Sequence, residues 1–269
     1  MNNAQKVSEN LLSDDDVRQV DVDGNAVIVI NVPRADRRVR PIYLNDNPKR
    51  AFRRNNSGDY LCRIDEIRSM MRDATEESQD VALVDRFGLE CLDMGTVGRY
   101  RQRFESRHAE HVWNRLSDSG FLRAIGAAGV DIDGNLHPTR AGLLMFGQDQ
   151  HIIHEFCHYF LDYRQQTDPE TRWQDRITSM SGDWSGNVYD FYFRAYGQMK
   201  AALKVPFRME GIFRVDDQPV HKALREALAN CLTNANWFER KGVVCLWEEN
   251  RLTIANPGDF RMEVEVASV

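Results

Sequence analysis

No apolar run in the chain approaches the roughly 18 residues that span a bilayer, which excludes an integral membrane protein. The opening stretch, MNNAQKVSENLLSDDD, holds no apolar core of signal-peptide length and turns acidic where a cleavage site would fall. Cysteine is scarce: the five residues Cys62, Cys91, Cys157, Cys231 and Cys245 are odd in number, widely spaced and form no CxxC pair. That excludes a disulfide framework or a zinc ribbon and fits buried thiols in a reducing compartment. No GxxxxGK[ST] phosphate loop, internal repeat or low-complexity tract occurs. Neither charge sign dominates, because 35 Lys and Arg face 41 Asp and Glu for a net charge of −6. What remains is ordinary globular composition, 42% hydrophobic and 28% charged, over 269 residues. At roughly 150 residues per domain this is a cytoplasmic protein of about two domains or more.

The charge is unevenly placed. Residues 34–54 carry Arg34, Arg37, Arg38, Arg40, Lys49, Arg50, Arg53 and Arg54 against only Asp36 and Asp46. Screening limits each charge to about 8 Å at physiological salt, so this block can neutralise phosphates whatever the total. NAVIVINVP, a β-branched run closed by Pro33, reads as a buried strand. RPIYLND and RAFRRNNSGDY read as two further strands, and DEIRSMMR as a helix with Ile67, Met70 and Met71 on one face. Residues 1–75 therefore form a small α+β unit with a basic hairpin.

Residues 76–95 read as a mixed connecting stretch. Beyond it a helix places Val97, Tyr100 and Phe104 on one face and Arg99, Arg101, Arg103 and Arg107 around the rest. Ser117 and Thr139 are expected helix caps, and Asp133-Gly134 a hairpin turn. Helix, helix, hairpin is the order of a winged-helix-like module over 76–147. In the last unit, 148–269, HEFCHYFLDYR, GVVCLWEE and RLTIAN read as strands and two long segments as helices.

His154-Glu155-Phe156-Cys157-His158 spells HExxH, in which two histidines one helical turn apart bind zinc. The same residues also alternate as a strand would, setting the histidines about 13 Å apart, too far for one ion. Glu170 and Asp175 are only candidates for a third ligand. The zinc hydrolase is set aside as the least favoured reading.

ALREALANCLTNANW (Ala223 to Trp237) is the most informative segment. Leu224, Leu228, Cys231 and Leu232 cluster on one face, while Glu226, Asn230 and Asn234 recur at i, i+4 and i+8 on another. Asparagine is a poor helix-interior residue, so its repetition on the carboxylate's face asks for a use. Asn230 can offer an amide oxygen to Mg²⁺, and Glu226 can take a proton from water attacking a terminal phosphate. The strand that follows later ends in Ala255-Asn256-Pro257-Gly258, where glycine lets a ligand approach the backbone and Asn256 can meet a base edge.

Together, ALREALANCLTNANW and RLTIANPGDF resemble the N-box and first glycine box of the GHKL ATPases. They are most similar to the divergent version in bacterial putative transcriptional regulators labelled RecG-like ATP-dependent DNA helicases. VIVINVP, RPIYL and RAFRRNNSGDY resemble the second half of the Schlafen/AlbA-like DNA-binding domain that precedes it, and LHPTRAGLLMFG, HYFLDYR, DRITSMSGDWSGNVYDF and LKVPFR are also typical of these regulators. The resemblance implies an α+β chain with three parts: an AlbA-like fragment (1–75), a winged-helix-like module (76–147) and a partial GHKL-type sandwich (148–269). It assigns Glu226 as base, Asn230 as Mg²⁺ ligand, Asn234 to the same box, and Asn256 with Gly258 to the adenine side. ATP and Mg²⁺ are the implied cofactors, DNA the partner of Arg37, Arg38, Arg40, Arg50, Arg53 and Arg54, and a homodimer the implied assembly.

Three departures stand out. The family's HADY is Asn234-Ala235-Asn236-Trp237, and the adenine-reading aspartate of typical GHKL enzymes is Asn256. The sequence ends before a second glycine box, and the front of the AlbA-like domain is missing, so truncation at both ends is expected. The alternative is a non-enzymatic interaction or dimerisation module with a vestigial pocket. Helicase activity has little support, since nothing signals the tandem nucleotide-binding folds or oligomeric ring of a translocating motor.

Overall fold

The structure is a computed structural model describing residues 6–55, 58–75, 78–166, 172–203, 209–210, 213–214, 218–249 and 251–258. It is an α+β chain in two units, Met1–Gln79 and Asp80–Val269. The first unit opens with a hairpin of β1 (Val17–Val22) and β2 (Asn25–Ile30), turned by Asp23 and Gly24 at φ 54° and 81°. Positive φ at both turn positions matches the twist of a tight hairpin. The strand expected in NAVIVINVP is there, but its burial is not: Ile28 is 68% and Ile30 54% exposed. A short apolar run marks a strand without saying what covers it, and among the described residues β2 pairs only with β1.

A second, three-stranded sheet joins β3 (Tyr43–Leu44), β4 (Asn47–Asn55) and β5 (Gly58–Leu61) in that order. Residues 56–57, between β4 and β5, lie outside the described residues. Helix α1 (Ile64–Ala74) follows, its first turn fixed by the Glu66 carboxylate accepting from the Arg63 amide at 2.7 Å. It lays Ile67 on Ala51 and Cys62, with Tyr43 and Met70 at the margin.

The second unit begins with an ordered stretch where a plain connector was expected. Val84, Cys91 and Leu92 are buried, and Leu83 and Leu92 make antiparallel bridges to Thr139 and Gly147. Then come α2 (Met94–Arg107), α3 (Asp118–Ala124), a hairpin of β6 (Ala128–Val130) and β7 (Leu136–Pro138), α4 (Arg140–Phe146) and α5 (Asp149–Glu155). Ser117 and Thr139 cap α3 and α4 as expected, each hydroxyl accepting the amide three residues on, Gly120 at 3.2 Å and Gly142 at 3.0 Å. Gly142 is required by packing, because a Cβ there would lie 1.9 Å from the Ala127 carbonyl oxygen.

The remaining elements are β8 (Leu161–Gln166), β9 (Asp175–Thr178), α6 (Val188–Ala202), the short pair β10 (Met209–Glu210) and β11 (Phe213–Arg214), α7 (Pro219–Thr233), β12 (Val243–Glu248) and β13 (Leu252–Ala255). The sheet order is β13-β12-β8-β9, with β12 parallel to β8 and the outer pairs antiparallel. Alternation sends Leu161 and Tyr163 of β8 and Val243 and Cys245 of β12 into the core with Phe191 and Met199 of α6 and Leu228 and Leu232 of α7. Leu143 and Phe146 of α4 join that same core, so the expected border at 147 falls inside a continuous apolar interior. The strand expected from His154 starts only at Leu161; His154 and Glu155 close α5, and residues 156–160 turn the chain. Four cysteines are buried and Cys157, in that turn, is exposed. Burial pushes the Cys91 thiol up to about 12 and Cys231 up to about 11, which keeps both protonated and inert.

Candidate functional site

Helix α7 turns Leu228, Cys231 and Leu232 inward, leaving Glu226 and Asn230 exposed on the opposite side. They are neighbours one turn apart, the Asn230 amide approaching Glu226 Oε1 at 3.4 Å, a long hydrogen bond. The Asn230 side-chain oxygen accepts nothing among the described residues. Asn234 stands differently from the expectation. It is the helix's C-cap, and its side-chain amide donates to the Asn230 carbonyl at 2.8 Å, a second bond to the oxygen that its own backbone N–H meets at 3.0 Å. The propensity argument for a functional asparagine therefore applies to Asn230 alone.

The Asn-Pro-Gly corner, distant in sequence, sits against this helix end. The Asn236 amide donates to the Pro257 carbonyl at 2.9 Å, and the Asn256 side chain donates to the Asn234 carbonyl at 3.3 Å. Gly258 has φ 121°, a conformation that excludes most side chains, and it lies beside Asn236. Asn236 is the residue the sequence reading missed. Its backbone latches the corner, while its side chain donates to Glu239 at 3.0 Å and accepts from the Phe238 amide at 3.3 Å. The fold thus gathers Glu226, Asn230, Asn234, Asn256 and Gly258 along one edge, with Asn256 also exposed.

The six arginines expected to meet DNA divide. Arg40 is half-buried and its guanidinium grips the Ala35 carbonyl, with Nε at 2.7 Å, so it shapes the loop. Arg53 shares the inward face of β4 with Ala51 and pairs with Glu66 at 3.5 Å. Arg50 and Arg54 occupy the other face beside exposed Phe52, Arg54 meeting Asp59 at 3.2 Å with both side chains largely exposed. Arg37 and Arg38 lie on an exposed 3₁₀ turn capped by Asp36.

Glu155 of the HExxH segment is committed elsewhere. Its side chain is 8% exposed and pairs with Arg140 at 2.7 Å and Arg86 at 3.2 Å, which leaves no free base for water. Among the described residues no three His, Cys, Asp or Glu side chains gather as a metal site, and no helix is long and apolar enough to cross a membrane. Two clefts lie elsewhere in this unit. One of about 310 Å³ runs between β9 and α6, lined by Asp175, Arg176, Trp184 and Arg194 among others. The other, about 200 Å³, is formed by α2 and α6.

Residues 68–162 match a family described as a domain of unknown function (DUF8451). The match runs from α1 to the second residue of β8 and leaves α7 and the Asn-Pro-Gly corner outside. A search of the curated proteins finds no match. Among solved structures, the chain is similar to the DIP2311 protein from Corynebacterium diphtheriae, with 20% identity and a TM-score of 0.50 over 91% of this chain and 45% of that one. That likeness concerns the fold alone, and this chain spans less than half the length of its neighbour.

Proposed function

We propose that the chain is part of a DNA-binding regulator whose second unit carries a divergent nucleotide site on the exposed edge of α7. The observation that carries this reading is the joining of two segments over twenty residues apart in sequence: the Asn256 side chain and the Pro257 carbonyl close onto Asn234 and Asn236. That junction stands at the C-terminal end of α7, the helix whose exposed face carries Glu226 and Asn230, and it includes Gly258, a glycine with positive φ. The donor set fits a hydrated Mg²⁺, a hard cation held by few protein oxygens together with phosphates. Bound there, Mg²⁺ would supply the neutralisation of the ATP phosphates that phosphoryl chemistry needs. Asn230 would hold the ion, Glu226 would orient and deprotonate a water, and Gly258 would admit the ligand to the backbone. Nucleotide then serves to control conformation or dimerisation.

Isothermal titration with ATP and Mg²⁺ tests this. Saturable heat that Asn230→Ala reduces tenfold or more is the expected result; heat absent from the wild type, or unaltered by the substitution, removes the site. For DNA, Arg50 and Arg54 are the expected phosphate contacts. Double neutralisation lowers affinity for a random duplex and flattens log K against log salt by about 0.9 per lost contact. Unchanged binding would remove the role. A second reading, a module with a vestigial pocket, is favoured by the exposure of Glu226, Asn230 and Asn256, and a titration without heat selects it.

A further inference from the structure

The cleft between α2 and α6 carries a site that the nucleotide reading does not use. Its walls are Tyr100, Phe104, Tyr189 and Phe193, and its rim is Arg103, Arg107 and His108. Three observations single it out. First, the arginines of α2 are sorted. Arg99 pairs with Asp190 at 2.7 Å and Arg101 is bound to Asp118 and the Leu116 carbonyl, whereas neither Arg103 nor Arg107 forms an ion pair among the described residues. The two unpaired cations are one helical turn apart and both face the cleft. Second, Tyr189 is 7% exposed and its hydroxyl meets no donor or acceptor among the described residues. A buried hydroxyl without a partner is costly and uncommon in folded proteins. Burial, partly countered by Arg103, raises this phenol's pKa, so it remains a neutral donor. Third, the wall is aromatic, with Tyr100 and Phe193 ring centres 5.5 and 4.9 Å from that of Tyr189 and the Arg103 guanidinium 3.8 Å above Phe193.

We propose that this cleft binds a small aromatic carboxylate of a single ring, its anion held by Arg103 and Arg107 and an acceptor oxygen satisfying the Tyr189 hydroxyl. Size supports one ring: a cavity of about 150 Å³ takes benzene, and this cleft measures about 200 Å³. Two cations over one turn match a single anionic group and fall short of the extended basic track that a nucleic-acid backbone follows.

The test is titration of the intact chain with sodium benzoate, with acetate and a ten-residue oligothymidylate as comparisons. Benzoate is expected to saturate while acetate binds at least tenfold more weakly, because the ring contributes. Arg103→Gln with Arg107→Gln should weaken benzoate tenfold or more. Tyr189→Phe gives a result that a purely structural tyrosine would not: it removes an unsatisfied group, so the melting temperature holds or rises, yet benzoate affinity falls several-fold. Unsaturable benzoate, equal affinity for acetate, unchanged affinity in the arginine variant, or binding of the oligonucleotide in place of benzoate overturns the proposal.

Discussion

The two units differ in how their apolar residues are used. In the first, the described core is Ala51, Cys62 and Ile67, while Val17, Val22, Ile28, Ile30 and Val32 stand in the open. In the second, a continuous interior runs from Val84 to Cys245 and draws on six helices and two strands of the larger sheet. Burial of apolar area must offset chain entropy of about 1–2 kcal/mol per residue, so the second unit holds most of the stability. The first is expected to open at low free energy, with fast amide exchange.

Substitutions can break or sharpen this contrast. The largest expected effect is at Asp190, buried where α2 meets α6. Its carboxylate accepts from Thr96 at 2.8 Å, Arg99 at 2.7 Å and Ser185 at 2.6 Å. Burial pushes its pKa up, but those hydrogen bonds outweigh it and hold the group below the usual carboxylate range. Asp190→Ala strands these donors and should cost about 3 kcal/mol, read as a fall in the second unit's melting temperature. The native contribution is present above the unfolded pKa of 3.8 and is lost as pH falls through the lowered value.

Ile67→Ala comes next, at about 2 kcal/mol. Its effect should be confined to amide exchange of β4, β5 and α1; an equal loss of protection in α6 would show that the units unfold together. Thr139→Ala is expected to cost about 1 kcal/mol by removing the α4 cap, measured by denaturant midpoint.

The smallest effect is a pH dependence. His137 meets the Phe87 carbonyl at 2.7 Å and Asp131 at 2.9 Å, and these acceptors raise its pKa above 6.5. A raised pKa means the stabilisation is complete below the unfolded value and lost as pH climbs through the folded one. The protection factor of the β6–β7 hairpin, corrected for intrinsic base-catalysed exchange, should therefore be lower at pH 8 than at pH 6, and His137→Gln should abolish that difference.

What was legible in the sequence followed from local chemistry. Ser117 and Thr139 announce helix starts because a hydroxyl and a backbone amide three residues on meet in any context. The apolar face of α7 was legible for a similar reason, since Leu228, Cys231 and Leu232 follow the helical period. Burial of β2 was not, because its partner β1, VRQVDV, mixes apolar and charged residues and gives no sign of leaving the ribbon uncovered. HEFCHYF fitted two periods at once, and the cap of α5 decided between them by ending the helix at Glu155. At the candidate site the residue types were readable but their meeting was not. The contact of Asn256 with Asn234 depends on where β13 ends relative to α7, a tertiary fact. The cleft was half-visible in RYRQRFESRH, whose arginines alternate with aromatics, yet only packing against Asp190 and Asp118 shows which cations are left over.

Photolabelling with 8-azido-ATP and Mg²⁺, followed by mass-spectrometric mapping of the modified peptide, tests the central claim most directly. Label within residues 219–258, competed by unmodified ATP and lost in Asn230→Ala, is the predicted result. Label on other peptides only, or none that ATP displaces, would contradict a nucleotide site on the edge of α7.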